Sequence, residues 1–159
     1  MRHATLGLLT LSLTLALLAA CGGKPAPPPR ADAQPPAELR AGDVTVRATT
    51  LPTLQLNDAM ARAYGVERDA GSVLLVVGLR RGPQASEMSV PGTVTAVATD
   101  LLGKRQQVAL RAIDSGSYVD HVGVVRVSMP DTLRFRVEAR PQAASPATLE
   151  FHRDFFPPQ

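Results

Sequence analysis

The sequence predicts an all-β domain: a sandwich of about seven short strands with one short helix between the first and second of them. Three observations carry this reading. Beyond residue 38, apolar residues alternate with polar ones at period two, the spacing of a half-buried strand. Clusters of Gly, Pro, Asp and Ser interrupt these runs about every ten to fifteen residues, as in sandwiches and barrels. One segment alone, residues 56–65, departs from period two and reads as a helix.

The chain opens with Met1-Arg2-His3, a short positive end, followed by an apolar run from Leu6 to Leu18. A positive end, an apolar run and small residues are the parts of a secretory signal. The run is too short to span a bilayer, which takes about 20 apolar residues. Leu18-Ala19-Ala20-Cys21 resembles the lipobox of bacterial lipoproteins. The resemblance implies cleavage before Cys21 and acylation of that cysteine, giving a stable membrane anchor of several acyl chains. In such proteins an aspartate after the cysteine tends to hold the chain at the inner membrane. Gly22 stands there instead, which implies the outer membrane, facing the periplasm. Cys21 is the single cysteine, so lipidation leaves no thiol for a disulfide or a nucleophile.

Gly22 to Pro36 contains six prolines and almost no apolar side chains. Such a segment cannot bury enough surface to order itself, and its prolines favour an extended form. It reads as a spacer. The expected organisation is a signal peptide over 1–20, a lipidated cysteine and tether over 21–37, and a folded domain over 38–157.

Within the domain, strands are expected at about 40–50, 72–80, 92–100, 105–113, 117–128, 131–140 and 147–154. Val44, Val46 and Ala48 alternate with polar neighbours. Val73–Val77 is continuously apolar and suits a central strand covered on both faces. Val94, Ala96 and Ala98 mark the third strand; Val108, Leu110 and Ala112 the fourth; Val122–Val127 is a β-branched run. Leu133, Phe135, Val137 and Ala139 against Thr132, Arg134, Arg136 and Glu138 form the clearest alternation, and Leu149 and Phe151 close the series. In the helix, Asn57 can cap the start, Asp58 suits its positive end, and Gly65 can take a left-handed stop. Met60, Ala63 and Tyr64 are expected to share its packed face, and the helix to plug one end of the sandwich. The number and spacing of strands fit an immunoglobulin-like or fibronectin-type sandwich, without the cysteine pair and tryptophan of antibody domains.

Several stretches resemble the domain-of-unknown-function family 4426, small exported proteobacterial proteins with a single domain. They are Asn57, Ala61, Ala63-Tyr64-Gly65-Val66, Asp100-Leu101-Leu102-Gly103, Thr132-Leu133-Arg134-Phe135 and Phe155-Phe156-Pro157. The resemblance covers about residues 38 to 157. Asp58 stands where other members tend to have proline, and Thr53 and Leu54 replace the usual polar-aromatic pair. It implies an envelope location and a β-sandwich, and no activity.

The formal charge of +3 falls to +2 once Arg2 leaves with the signal, too little to favour nucleic acid as a partner. There is no nucleophile elbow and no phosphate-cradling loop. His121 and His152 lack local ligand spacing, and Asp120, a strand neighbour of His121, points to the opposite face. No catalytic residue, cofactor or metal is expected. Arg134, Arg136, Arg111, Arg126 and Arg153 are candidates for a basic stripe toward an anionic glycan or lipid. Tyr64 is a candidate for packing or binding at the helix end. The reading that follows is a non-enzymatic binding or assembly module of the envelope, with an envelope protein as partner and the membrane reached through Cys21. A lipid or glycan binder is the alternative, and an envelope hydrolase a more distant one.

Overall fold

The computed structural model describes residues 34–157. The segments expected to be signal peptide, lipidated Cys21 and tether lie, as far as residue 33, outside the described residues. From Ala37 the chain forms ten strands and one α-helix. In order they are β1 (Ala37–Ala41), β2 (Val44–Pro52), α1 (Asp58–Tyr64), β3 (Ser72–Arg81), β4 (Met88–Ser89) and β5 (Gly92–Thr99). Then follow β6 (Arg105–Val108), β7 (Arg111–Asp114), β8 (Val119–Arg126), β9 (Asp131–Pro141) and β10 (Ala147–Phe155). They build two antiparallel sheets. One has the order β1-β2-β3-β8-β7, with β4 beside β3; the other has the order β10-β9-β5-β6. The chain is an all-β sandwich.

Alternation decides what faces inward. Val44, Val46 and Ala48 of β2, Val73, Leu75, Val77 and Leu79 of β3, and Val125 of β8 meet Leu133, Phe135 and Val137 of β9 and Phe151 of β10 in one core. Phe135 is fully buried and stacks on Phe151, ring centroids 5.0 Å apart. β3 is covered on both faces, as its apolar run predicts. Its alternate residues Leu74 and Val76 join Leu51, Leu56, Ala61, Tyr64, Val122 and Ile113 in a second cluster under α1.

Three differences from expectation have plain causes. The strand expected at 40–50 is a hairpin, because Gly42 takes φ +66° and turns the chain between β1 and β2. The strand expected at 105–113 is two strands in different sheets, β6 pairing with β5 and β7 with β8. Val108 and Leu110 keep packing into the interior through the crossing, so the alternation gives no sign of the break. The seven expected strands thus become ten, with β4 the third addition. Finally, α1 does not plug an end. It lies on the outer face of the larger sheet, resting on Ala61 and Tyr64, while Met60 and Ala63 are exposed. Its caps are those expected: Asn57 Oδ1 accepts from Met60 N at 2.8 Å, and Gly65 is left-handed at φ +54°.

Candidate functional site

The outer face of the larger sheet is divided along β3. Its lower half is apolar and carries α1. Its upper half is charged, for a reason legible in the chain: after Val76 the outward positions of β3 are Gly78 and Arg80. Arg80 is 8% exposed and folds back over Gly78. Its Nη1 donates to Ser89 Oγ and to the Val119 carbonyl, each at 3.1 Å, and its Nη2 pairs with Asp120. The guanidinium lies 4.7 Å from the centroid of the Tyr118 ring. A buried cation is tolerated only with such partners, and here a carboxylate, two oxygen acceptors and an aromatic face supply them.

Beside it, Arg47 of β2 is opposite Gly78 in register, and Glu38 of β1 is opposite Arg47. Arg47 makes a bidentate pair with Glu87, at 2.8 and 2.9 Å, and a third bond with Glu38. The bonds from Arg47 hold the Glu87 carboxyl below the usual carboxylate range, and those from Glu87 and then Glu38 push Arg47 further up. A groove of about 540 Å³ opens over these groups, lined among others by Glu38, Arg40, Asp43, Arg47, Arg81 and Glu87. Arg81 and Asp43 form a further pair at 2.6 Å. The groove therefore presents fixed, alternating charges. A carboxylate whose charged form is held in this way is a weaker base than a free one.

Sequence reasoning misses Arg80 and Arg47. The available signal is Gly78-x-Arg80, which places a residue without a side chain under an arginine on one face of a strand. The residues that the sequence does single out are dispersed. Tyr64 packs into the cluster under α1. Arg134 and Arg136 are exposed on the outer face of the smaller sheet, Arg136 bonded to Glu138 and Glu150. Arg111 and Arg126 belong to the larger sheet, Arg111 reaching the Gly65 carbonyl and Arg126 pairing with Asp69. Arg153 lies over the Phe151 ring. The basic stripe does not form, because its members belong to different sheets. His121 is in β8 and His152 in β10, again in different sheets, and Asp120 is taken by Arg80. Among the described residues no three His, Cys, Asp or Glu converge as metal ligands, and no helix is long and apolar enough to cross a membrane.

The sequence model of the family described as "Domain of unknown function (DUF4426)" matches residues 38–158. The chain belongs to the DUF4426 family. Its fold is similar to the crystal structure of a DUF4426 family protein from Pseudomonas aeruginosa PAO1, with TM-score 0.67 at 22% identity, over 78% of this chain and 97% of that one. It is also similar to FetP of uropathogenic Escherichia coli strain F11, isolated after recombinant expression in the periplasm of E. coli BL21(DE3). That match has TM-score 0.56 at 9% identity, over 78% of this chain and 97% of FetP. A copper-bound variant of FetP matches with TM-score 0.54 at 9% identity, over 78% of this chain and 93% of the variant. At these identities the likeness is one of fold. No curated protein matches the DUF4426 chain.

Proposed function

We propose that this DUF4426 protein is a lipoprotein of the cell envelope, anchored through acyl chains on Cys21, whose sandwich binds or assembles with another envelope protein and catalyses no reaction. The observation that carries the reading is the groove of locked charges on the larger sheet. Arg47 is held by two carboxylates through three hydrogen bonds, so its geometry is set before any partner arrives. Preset charge patterns favour specificity and rapid encounter with a complementary protein surface. The lipobox at Cys21 and the signal before it support the envelope location, facing the periplasm from the outer membrane. The expression of FetP in the periplasm agrees with that setting.

The test is an in-cell crosslinking pull-down of the full protein beside a Cys21→Ser form exported on a non-lipoprotein signal, each with a photoreactive side chain at Gln84 in the groove. A single enriched partner that is lost on Arg47→Glu supports a binding module built on the groove. Capture that ignores the charge reversal places recognition elsewhere and sinks the reading. Loss of the partner only in the Cys21→Ser form means that anchoring supplies the specificity.

A further inference from the structure

The β5–β6 turn is the most exposed apolar feature among the described residues. Leu101 is 74% exposed and Leu102 95%. The turn is nonetheless tightly built. Asp100 Oδ1 accepts from Leu102 N at 3.0 Å and from Lys104 N at 2.8 Å, and Gly103 takes φ +83° to close it. The one carboxylate of the turn is thus spent on backbone N–H groups, and the tip offers two leucines with no charge between them. Lys104 and Arg105 follow directly, and Thr99 is opposite both Arg105 and Arg134 in the cross-strand row. Neighbouring strands are about 4.8 Å apart, so these cations ring the base of the tip.

The chain enters the domain at this same end. Arg134 is opposite His152, and two residues further toward the end the Asp154 carbonyl accepts a 2.9 Å bond from Gln34 Nε2. Arg153 Nη2 donates to the Pro35 carbonyl at 2.7 Å. Phe156, 65% exposed, follows β10 there. Three of the carboxylates at this end have internal donors: Asp131 takes the Thr132 N–H, Asp154 the Thr132 hydroxyl and Asp69 the Arg126 guanidinium. Gln34 is thirteen residues beyond Cys21, so the contour between them is at most about 45 Å.

We propose that Leu101 and Leu102 dip into the surface of the phospholipid bilayer that holds the Cys21 acyl chains, with Lys104, Arg105 and Arg134 against its anionic headgroups. The inference rests on the anchoring reading above and adds a second, oriented contact. Two leucines alone bind a bilayer weakly, but a short tether keeps the tip at high local concentration beside it. The domain is then held with the tip toward the membrane and the opposite end, with the Gln84 loop, pointing away.

The protein has no tryptophan, so Leu102→Trp gives a single reporter. Acylated mature Leu102→Trp protein is placed in vesicles of phosphatidylglycerol and phosphatidylethanolamine, with Gln84→Trp as the control at the far end. Tip insertion shifts the emission of the Leu102→Trp protein to the blue and lets lipids brominated on their acyl chains quench it, while the control is untouched. Protein retained by its acyl chains whose tip indole stays unquenched overturns the inference and leaves anchoring intact. If Cys21 carries no acyl group the anchoring reading falls, and the Cys21→Ser chain with the same reporter on the same vesicles decides the tip: quenching supports it and no quenching overturns it. A blue shift without vesicles that grows with protein concentration means that a second copy covers the leucines, which also overturns it. As a second variant, adding Leu101→Ser to the acylated Leu102→Trp protein weakens bromolipid quenching of the indole, with an unchanged melting temperature.

Discussion

Gly78 and Arg80 fit together as socket and occupant: a Cβ on Gly78 would stand 2.8 Å from the Arg80 guanidinium carbon. The empty side of the glycine is what lets a long cation lie flat on the sheet and reach Asp120, Ser89 and the Val119 carbonyl at once. Gly78→Ala is therefore expected to displace the guanidinium. It should cost about 1–3 kcal/mol, a range set by how far the flexible side chain can give way. Urea unfolding measures this, and a cost near zero would mean that the fit is slack.

Arg80→Met leaves Asp120, 18% exposed at its side chain, facing the sheet without its cation. Removing one member of a nearly buried pair costs about 3 kcal/mol. Lysine keeps the charge but lacks the planar fork and the stacking on Tyr118, so Arg80→Lys should lose most of the same stability. Adding Asp120→Leu to Arg80→Met should recover part of it. If the double variant is less stable than Arg80→Met alone, the cost is one of packing and not of an orphaned charge.

Glu87 supplies a pH dependence. Its folded-state carboxyl titrates below its ordinary 4.5 because Arg47 bonds the charged form. A depressed carboxyl stabilises the fold fully above the unfolded value, and that contribution is lost as pH falls through the folded one. The melting temperature of the protein should therefore exceed that of Glu87→Gln above about pH 5, and the two should converge in acid. Parallel melting curves at every pH would show that the pair contributes nothing.

Phe135 is fully buried and stacked on Phe151 at an interplanar angle of 14°. Phe135→Ala should cost about 3–5 kcal/mol through lost transfer energy and an unfilled cavity. A double-mutant cycle with Phe151→Ala should show coupling of about 0.5–1.5 kcal/mol. Additive losses would remove any special role for the stack.

Where β6 crosses to become β7, Gly123 admits the passing chain. A Cβ there would meet Val108 Cγ1 at 2.7 Å and the Ala109 carbonyl at 2.9 Å. Backbone cannot retreat as a side-chain tip can, so Gly123→Ala should cost more than Gly78→Ala, about 2 kcal/mol or more. Chemical denaturation of the two variants side by side settles the order.

How much is legible in the sequence follows from which signals are local. The caps at Asn57 and Gly65, the two-faced burial of Val73–Val77 and the inward set on β9 depend on neighbouring residues, and all three can be read from the chain. The sheet change after Val108 cannot, because an inward-facing residue looks the same whichever sheet it belongs to. The charged groove is hidden for a related reason. Glu38, Arg47, Arg81 and Glu87 come from three strands and a loop, and only the folded sheet brings them together. The arginine stripe fails in reverse: residues of similar appearance belong to opposite sheets.

The bonds from Gln34 and Arg153 have a mechanical meaning. β1 begins part-way along the sheet and runs away from the end where Gln34 lies, so a force applied at Gln34 along the strand axis acts parallel to β1. Such a pull shears the five residue pairs between β1 and β2 together and does not peel them one at a time. Gln34 and Pro35 are also tied to β10, so part of the load passes into the second sheet before β1 feels it. A domain held by a partner at its far end and by lipid at the near one would carry tension across the whole sandwich.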